Sequence, residues 1–81
     1  MQVRYDSEAD VAFLVLRDPQ GGDEGGQRLD ERRYRHLDQA GNVYAYEFLF
    51  VSKGVSLEGI DSKDAALIRE AIDSMHRVAV A

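Results

Sequence analysis

The sequence predicts an α+β fold, an antiparallel β-meander of about four strands with one C-terminal α-helix packed on one face. Three observations support this prediction. Apolar residues alternate with a period of two across residues 2–51, and they recur with a helical period over residues 62–78. The length of 81 residues, of which 44% are apolar and 31% charged, suits one small globular domain. We therefore divide a single domain of residues 1–81 into a β-meander, a linker over 52–61 and a helix.

The predicted strands are runs of alternating side chains between turn residues, over residues 2–5, 10–17, 32–37 and 43–51. A hairpin loop at 38–42 joins the last two strands, and Gly41 can take the positive φ that such loops use. Segment 18–26 contains the only Pro and four of the seven Gly residues, which interrupt a regular ladder. We expect this segment to be a mobile loop.

The C-terminal helix is predicted from its cap and its apolar stripe. Asp61 or Ser62 can cap the start, since either side-chain oxygen can accept a hydrogen bond from a free amide of the first turn. The stripe consists of Leu67, Ile68, Ala71, Ile72, Met75 and Val78 or Ala79. Charged residues occupy the opposite side, so the helix can cover only one face of the sheet.

Both long predicted strands are apolar on both faces, which leaves one sheet face without a cover. Exposing about 500 Å² of apolar surface would forgo roughly 12 kcal/mol, comparable to the stability of a whole domain. We therefore expect a homodimer, or a complex with a small protein partner, built on the sheet. The candidate interface is Phe13, Tyr44, Tyr46, Phe48 and Phe50, or the opposite set of Val11, Leu49 and Val51. In the alternative, the sheet curls and the loop over 18–26 covers the remainder.

Composition and net charge exclude or disfavour several classes of protein function. The net charge of −5 disfavours non-specific binding to nucleic acid. With no Cys and two His, zinc fingers, thiol nucleophiles and iron–sulfur sites are excluded, and we expect no cofactor and no enzymatic activity. The longest apolar run, over residues 11–16, is too short to cross a bilayer, and the N-terminus lacks the features of a secretory signal. We expect a cytoplasmic protein with no membrane partner.

One basic stretch covers residues 28–36. Its four Arg residues outnumber two acidic residues, for a local charge of +2 in an acidic chain. The candidate polar or phosphate contacts are Arg32, Arg33, Arg35 and His36. The alternative function is therefore a nucleic-acid-associated regulator, of the antitoxin type, that binds through this strand. Such a strand more commonly forms a charge-protected sheet edge or contacts the acidic surface of a second subunit.

The first turn carries three alternating carboxylates, those of Asp6, Glu8 and Asp10. Glu47 lies near them if the second and fourth strands are neighbours, and such a group can bind a hard cation. Because the EF-hand spacing is absent, we expect Asp6 and Asp10 to accept hydrogen bonds from backbone amides of the turn instead. For Glu47 we expect an ion pair with Arg33 or Arg35 on the neighbouring strand.

Two separated motifs carry a family resemblance. YDSEADVAFLVL, at residues 5–16, leads from a Tyr-Asp-x-Glu-Ala-Asp start into an apolar strand, and DQAGNVYAYEFL, at 38–49, is a Gly-containing hairpin followed by a strand with one Glu. Over residues 3–60 the chain resembles the bacterial family called domain of unknown function 2283. The resemblance implies the sheet and no activity, because none is assigned to the family. The chain departs from the family at Arg35 and His36, where members tend to have aliphatic residues and an Asp.

Overall fold

The protein folds into a five-stranded antiparallel sheet with one helix, as seen in a computed structural model. The structure describes the backbone of residues 1–80 and the side chains of residues 1–75. The strands are β1 (Gln2–Asp6), β2 (Val11–Val15), β3 (Asp23–Asp30), β4 (Arg33–Asp38) and β5 (Val43–Leu49). A 3-10 turn (Val51–Lys53) and helix α1 (Ser62–Val80) follow. The predicted α+β class is confirmed, with one strand more than expected.

The order of the strands across the sheet is β1-β2-β5-β4-β3. β1 and β2 form one hairpin, and β3, β4 and β5 form a meander. The two units join where β2 pairs with β5, with Leu14 opposite Tyr46. Because β2 and β5 are apolar on both sides, they lie inside the sheet, whereas β1 and β3, whose residues are all exposed, form its edges.

Strand β3 occupies part of the segment that the sequence predicts to be a loop. The prediction of a loop over 18–26 is wrong from Asp23 onward, because this part of the chain pairs with β4. All residues of β3 are exposed, so no apolar alternation marks the strand in the sequence. Its glycines are accommodated because an edge strand needs a ladder on one side only, and the register shifts between Asp23 and Gly25.

Two contacts fix the start of α1 to the sheet. Asp61 caps the helix, since its Oδ2 accepts hydrogen bonds from the amides of Lys63 at 3.1 Å and Asp64 at 3.4 Å. Arg17, two residues after the end of β2, donates one bond to the Asp64 carboxylate and another to the carbonyl of Val43. The predicted cap is thus Asp61, and the Arg17 bridge orients the first turn over the end of β2.

The core lies between α1 and one side of the sheet, which we call the helix face. Its fully or nearly buried members are Ala12, Leu14, Tyr46, Phe48, Val51 and Ile68. Ala71, Ile72 and Met75 continue the helical stripe, as predicted, whereas Leu67 is 39% exposed. Val78 and Ala79, also expected in the stripe, lie outside the described side chains. Within the described residues, no helix is both long and apolar enough to cross a membrane.

Candidate functional site

The sheet surface opposite the helix, which we call the open face, is covered by no other helix or strand within the part of the chain that the structure describes. Alternation and cross-strand pairing place there, on the three inner strands, Val11, Phe13, Val15, Tyr34, His36, Ala45, Glu47 and Leu49. On the edge strands, the same pairing adds Gln2, Arg4, Asp6, Gly26 and Arg28. Ala45 is fully buried, and the other members on the inner strands are partly exposed. Val11 and Leu49 were expected together with Val51, but Val51 is 6% exposed and belongs to the core instead. The open face is therefore apolar at its centre, with Glu47 beside the apolar residues, and it carries Arg4 and Asp6 on β1 and Arg28 on β3.

His36 lies at the centre of an aromatic cluster on the open face. Its ring meets the Phe13 ring edge-on with 5.0 Å between centroids, and the Tyr44 ring with 6.5 Å. Ala45 is opposite His36 in the ladder, and its small side chain leaves space for the imidazole to approach Phe13. On the β3 side, a Cβ added to Gly26 would lie 3.1 Å from the Cε1 atom of the ring. The imidazole is thus held closely from both sides.

Glu47 is the carboxylate beside this imidazole. Its Oε1 atom lies 3.6 Å from Nε2 of His36, and the two side chains are 32% and 18% exposed. The expected ion pair with Arg33 or Arg35 is wrong, because both of these residues pair with β5 residues that face the helix. In the ladder, Tyr34 is the residue of β4 that lies opposite Glu47.

Tyr44 departs from the alternation predicted for β5. The β4–β5 ladder is irregular between His36 and Leu37, and Leu37 lies opposite Val43 rather than Tyr44. As a result the Tyr44 ring reaches His36, while Val43 packs against the core under the helix. Burial, followed by the nearby carboxylate of Asp23, raises the pKa of Tyr44. An irregularity of this kind turns one side chain toward the other face of the sheet. The sequence of β5 alone does not reveal where such an irregularity occurs.

The structure separates the five aromatic residues that were expected to share an interface. Phe13 and Tyr44 lie next to each other around His36. Tyr46 and Phe48, 5% and 1% exposed, are buried under the helix and are not available to a partner. The fifth, Phe50, is 48% exposed beyond the end of β5 and has a left-handed backbone with φ of 55°.

The basic residues do not combine into one positive surface. Arg33 is buried, and its guanidinium is bound to a carboxylate and to two backbone carbonyls of the linker. Arg35 lies on the helix face, whereas His36 lies on the open face. Arg32 is at the end of the sheet, with its guanidinium carbon 5.6 Å from the centroid of the Phe50 ring. The four candidate phosphate contacts therefore point to three different regions.

The carboxylates of Asp6 and Asp10, in and after the first turn, accept hydrogen bonds from backbone amides. Asp6 accepts hydrogen bonds from the amides of Glu8 at 3.0 Å and Ala9 at 3.1 Å, as predicted. Asp10 accepts from the amide of Ser52 at 2.9 Å, which is outside the turn in which its partner was expected. Among the residues with described side chains, no three His, Asp or Glu groups gather closely enough to hold a metal ion.

A cleft of about 490 Å³ lies at the end of the sheet, beside the 3-10 turn. Phe48, Leu49 and Val55 contribute its apolar wall, and Asp30 and Arg33 contribute polar groups. These two groups are bound to each other at 2.8 Å, so the pair is already satisfied without a ligand. Glu31, Arg32 and Ser56 also line the cleft. Asp30 and Arg33, because they are paired, are not free to orient a small molecule there.

Sequence reasoning missed the association of His36 with Phe13 and Glu47. The three residues come from three strands, and both the β2–β5 and the β4–β5 pairings are needed to bring them together. One feature of the sequence could have predicted the pairing of β2 with β5. Both strands are apolar on both sides, which favours positions next to each other inside the sheet. Comparison of the chain with protein-family models, with curated proteins and with solved structures gives no match. The resemblance to domain of unknown function 2283 therefore stays a prediction.

Proposed function

We propose that the protein is a non-enzymatic interaction module that forms a homodimer through the open face of its sheet. The observation that carries the proposal is the uncovered apolar centre of this face, where Phe13 lies beside His36 between Val11 and Val15. Soluble proteins rarely leave a contiguous apolar surface of this kind in water. A second copy would cover it with the same residues, as an isologous two-fold interface requires.

The size of the open face suits a dimer. With strands about 4.8 Å apart and about 3.3 Å per residue, the sheet presents a face of roughly 24 by 20 Å. A standard interface removes about 800 Å² of accessible surface from each partner. A dimer of standard size would therefore use the whole open face, including Arg4 on β1 and Arg28 on β3 at its two sides.

The distribution of charge also favours this face. The chain carries 15 Asp and Glu residues and a net charge of −5, so two copies repel each other at most orientations. On the open face, the carboxylates of Glu47 and Asp6 are balanced by the guanidinium groups of Arg4 and Arg28. Two copies can therefore meet there without an excess of acidic groups.

The carboxylates with lowered pKa values support a structural role rather than catalysis. Asp38 is 1% exposed and accepts hydrogen bonds from the amides of Gln20 at 3.0 Å, Ala40 at 3.0 Å and Asn42 at 2.9 Å. These bonds lower its pKa and hold the β4–β5 hairpin against the segment before β3. A carboxylate saturated in this way is not free to take a proton from a substrate.

Substitution of open-face residues tests the proposal. Phe13→Glu places a second carboxylate beside Glu47 in each copy, and we expect it to convert a dimer into a monomer in sedimentation velocity. Val15→Lys, at the end of β2, should weaken the dimer with less risk to folding. Phe50→Glu is the matched control, because it changes an exposed aromatic residue outside the open face and should leave the dimer intact.

Circular dichroism separates loss of association from loss of folding in each variant. A dimer that persists in folded Phe13→Glu and Val15→Lys variants, or that is lost in Phe50→Glu alone, would assign the interface to another surface and contradict the proposal.

A further inference from the structure

Two neighbouring rows of side chains cross the centre of the open face, and they differ in charge. One row, which we call the charged row, is built by cross-strand pairing from Arg4, Phe13, Glu47, Tyr34 and Arg28. The next row lies two residues further along each strand. We call it the neutral row, and it consists of Gln2, Val15, Ala45, His36 and Gly26. It contains no Asp, Glu, Lys or Arg residue.

Glu47 lies at the middle of the charged row, because it belongs to the central strand β5. Its side chain is 32% exposed, so it reaches the surface of the open face. A second copy centred on the charged row therefore meets the first at Glu47. Like charges that face each other in an interface disfavour the complex. The position of the two-fold axis thus decides how the charges of two copies meet.

Most positions of the axis bring like charges together. Packed sheets are commonly aligned to within about 30°, so that the axis runs along the strands or across them. An axis along β5 stacks Glu47 on Glu47 of the second copy, and Arg4 on Arg28. An axis across the strands, within the charged row, stacks each charge on itself. An axis along any other strand leaves part of the open face without a cover.

An axis across the strands and between the two rows avoids these contacts. It lies level with Tyr46, the middle residue of β5 (Val43–Leu49), so the two faces overlap over all five strands. Every member of the charged row then lies over its neighbour in the neutral row of the second copy. Asp6, the remaining charge of the open face, falls beyond the end of that neutral row and stays at the rim.

The sizes of the side chains also match in this arrangement. Phe13 lies over Val15 of the second copy, and Arg28 lies over Gly26, which has no side chain. Arg4, at the edge of the sheet, lies over the uncharged amide of Gln2. We propose that the two copies stack with antiparallel strands, with the charged row of each copy over the neutral row of the other. This inference rests on the proposed homodimer and defines its geometry.

A distance between spin labels tests the direction of the axis. The chain has no Cys, so Gln2→Cys gives a single labelling site, on an edge strand whose residues are all exposed. In the proposed geometry β1 lies over β1 of the second copy, with about 12 to 15 Å between the two labelled Cα atoms. An axis along β5 places β1 over β3 and separates them by about 22 Å. We expect strong dipolar broadening in electron paramagnetic resonance, and its absence in a folded dimer would overturn the proposed axis.

Charge substitutions at the same position test which row faces which. Gln2→Glu creates two ion pairs with Arg4 across the interface, so the dissociation constant of the dimer should fall about 2-fold to 30-fold. Gln2→Lys should raise it. Both effects oppose the general effect of net charge, because an added acid increases the repulsion between chains that already carry −5. Weaker association of Gln2→Glu together with tighter association of Gln2→Lys would overturn the proposed register.

Gln27→Glu is the matched control. It adds the same charge to the other edge strand, but on the helix face, since Gln27 lies opposite Arg35 and Arg35 lies opposite the core residue Tyr46. This variant should not tighten the dimer, and a gain equal to that of Gln2→Glu would contradict the pairing of Gln2 with Arg4.

The oligomeric state distinguishes failure of the register from failure of the proposed function. A dimer with distant labels, or with the reverse response to charge at Gln2, overturns the register and leaves the homodimer intact. A chain that is monomeric at every concentration overturns both. A dimer with close labels that is tightened by Gln2→Glu supports both.

Discussion

Asp10, after β1, and Ser52, after β5, are joined by two hydrogen bonds across 42 positions of the chain. The Oδ1 atom of Asp10 accepts from the Ser52 amide at 2.9 Å, and Oδ2 accepts from the Ser52 hydroxyl. The carbonyl of Asp10 also accepts a bond from the amide of Val51 at 3.1 Å. The first hairpin is thereby tied to the 3-10 turn that leads into the linker. Asp10, one of the acidic residues of the first motif, therefore stabilises the fold by linking these two segments.

We predict that the protein loses stability in acid, as the pH falls below about 4. Hydrogen bonds, chiefly from the Ser52 hydroxyl, the Arg32 amide and the Gln20 amide respectively, lower the pKa values of Asp10, Asp30 and Asp38. A carboxyl group with a lower pKa in the folded chain contributes stability that is complete above its unfolded pKa. That contribution is lost as the pH falls through the lowered value. Urea unfolding across an acid pH series measures this loss.

Asp38→Asn is the variant that isolates one of these groups. It keeps the shape of the side chain and removes its titration, so the free energy of unfolding should be lower at neutral pH and should decline less steeply in acid. A pH dependence equal to that of the wild type would show that Asp38 does not contribute to it.

Ile68 and Leu67 are neighbours on α1 with opposite environments. Ile68 is fully buried, whereas Leu67 is 39% exposed. We predict that Ile68→Ala lowers the free energy of unfolding by about 2 to 5 kcal/mol, because it removes buried methyl groups and leaves a cavity. Leu67→Ala should cost less than about 1 kcal/mol. Equal losses in chemical denaturation would contradict the assigned helix face.

The cap of α1 gives a second matched pair. We predict that Asp61→Ala costs about 1 kcal/mol of stability, because the amides of Lys63 and Asp64 lose their acceptor. Ser62→Ala, one position later, should stay within about 0.5 kcal/mol of the wild type. If Ser62→Ala lowered the thermal stability more than Asp61→Ala does, the assignment of the cap to Asp61 would be wrong.

Phe50 has φ and ψ of 55° and 44°, a left-handed conformation that costs roughly 1 to 2 kcal/mol for most residues. Its side chain is 48% exposed, so little burial offsets this cost. We predict that Phe50→Asn, a residue that tolerates the conformation, raises the free energy of unfolding by up to about 1 kcal/mol. Arg32→Ala measures separately what the contact with the ring contributes. A clear loss of stability in Phe50→Asn would mean that the ring contact outweighs the strain.

The central strand and the helix were predictable because burial leaves a period in the sequence. β5 alternates between the buried helix face and the partly exposed open face, and α1 repeats its stripe through Ile68, Ala71, Ile72 and Met75. β3 was not predictable, because an edge strand exposed on both sides has no apolar period and is defined by backbone pairing alone.

The composition of the open face depended on register, which the sequence did not reveal. The neighbours of Glu47 follow from β2–β5 and β4–β5 pairing, and these place the imidazole of His36 rather than Arg33 or Arg35 beside it. The side taken by Tyr44 depends on a single ladder irregularity. The sequence predicted that one face would be left uncovered, and it named Phe13, Val11 and Leu49 among the candidates, but it assigned them to two alternative sets that also contained residues of the core.

Light scattering of the wild type after size exclusion, over a dilution series, tests the central claim most directly. The proposed homodimer predicts twice the chain mass of 9.1 kDa at high concentration, decreasing only on dilution and unaffected by short duplex DNA. A chain that stays monomeric at every concentration would contradict the homodimer. A monomer whose mass rises on addition of DNA at low salt would instead favour the Arg-rich strand as the functional element.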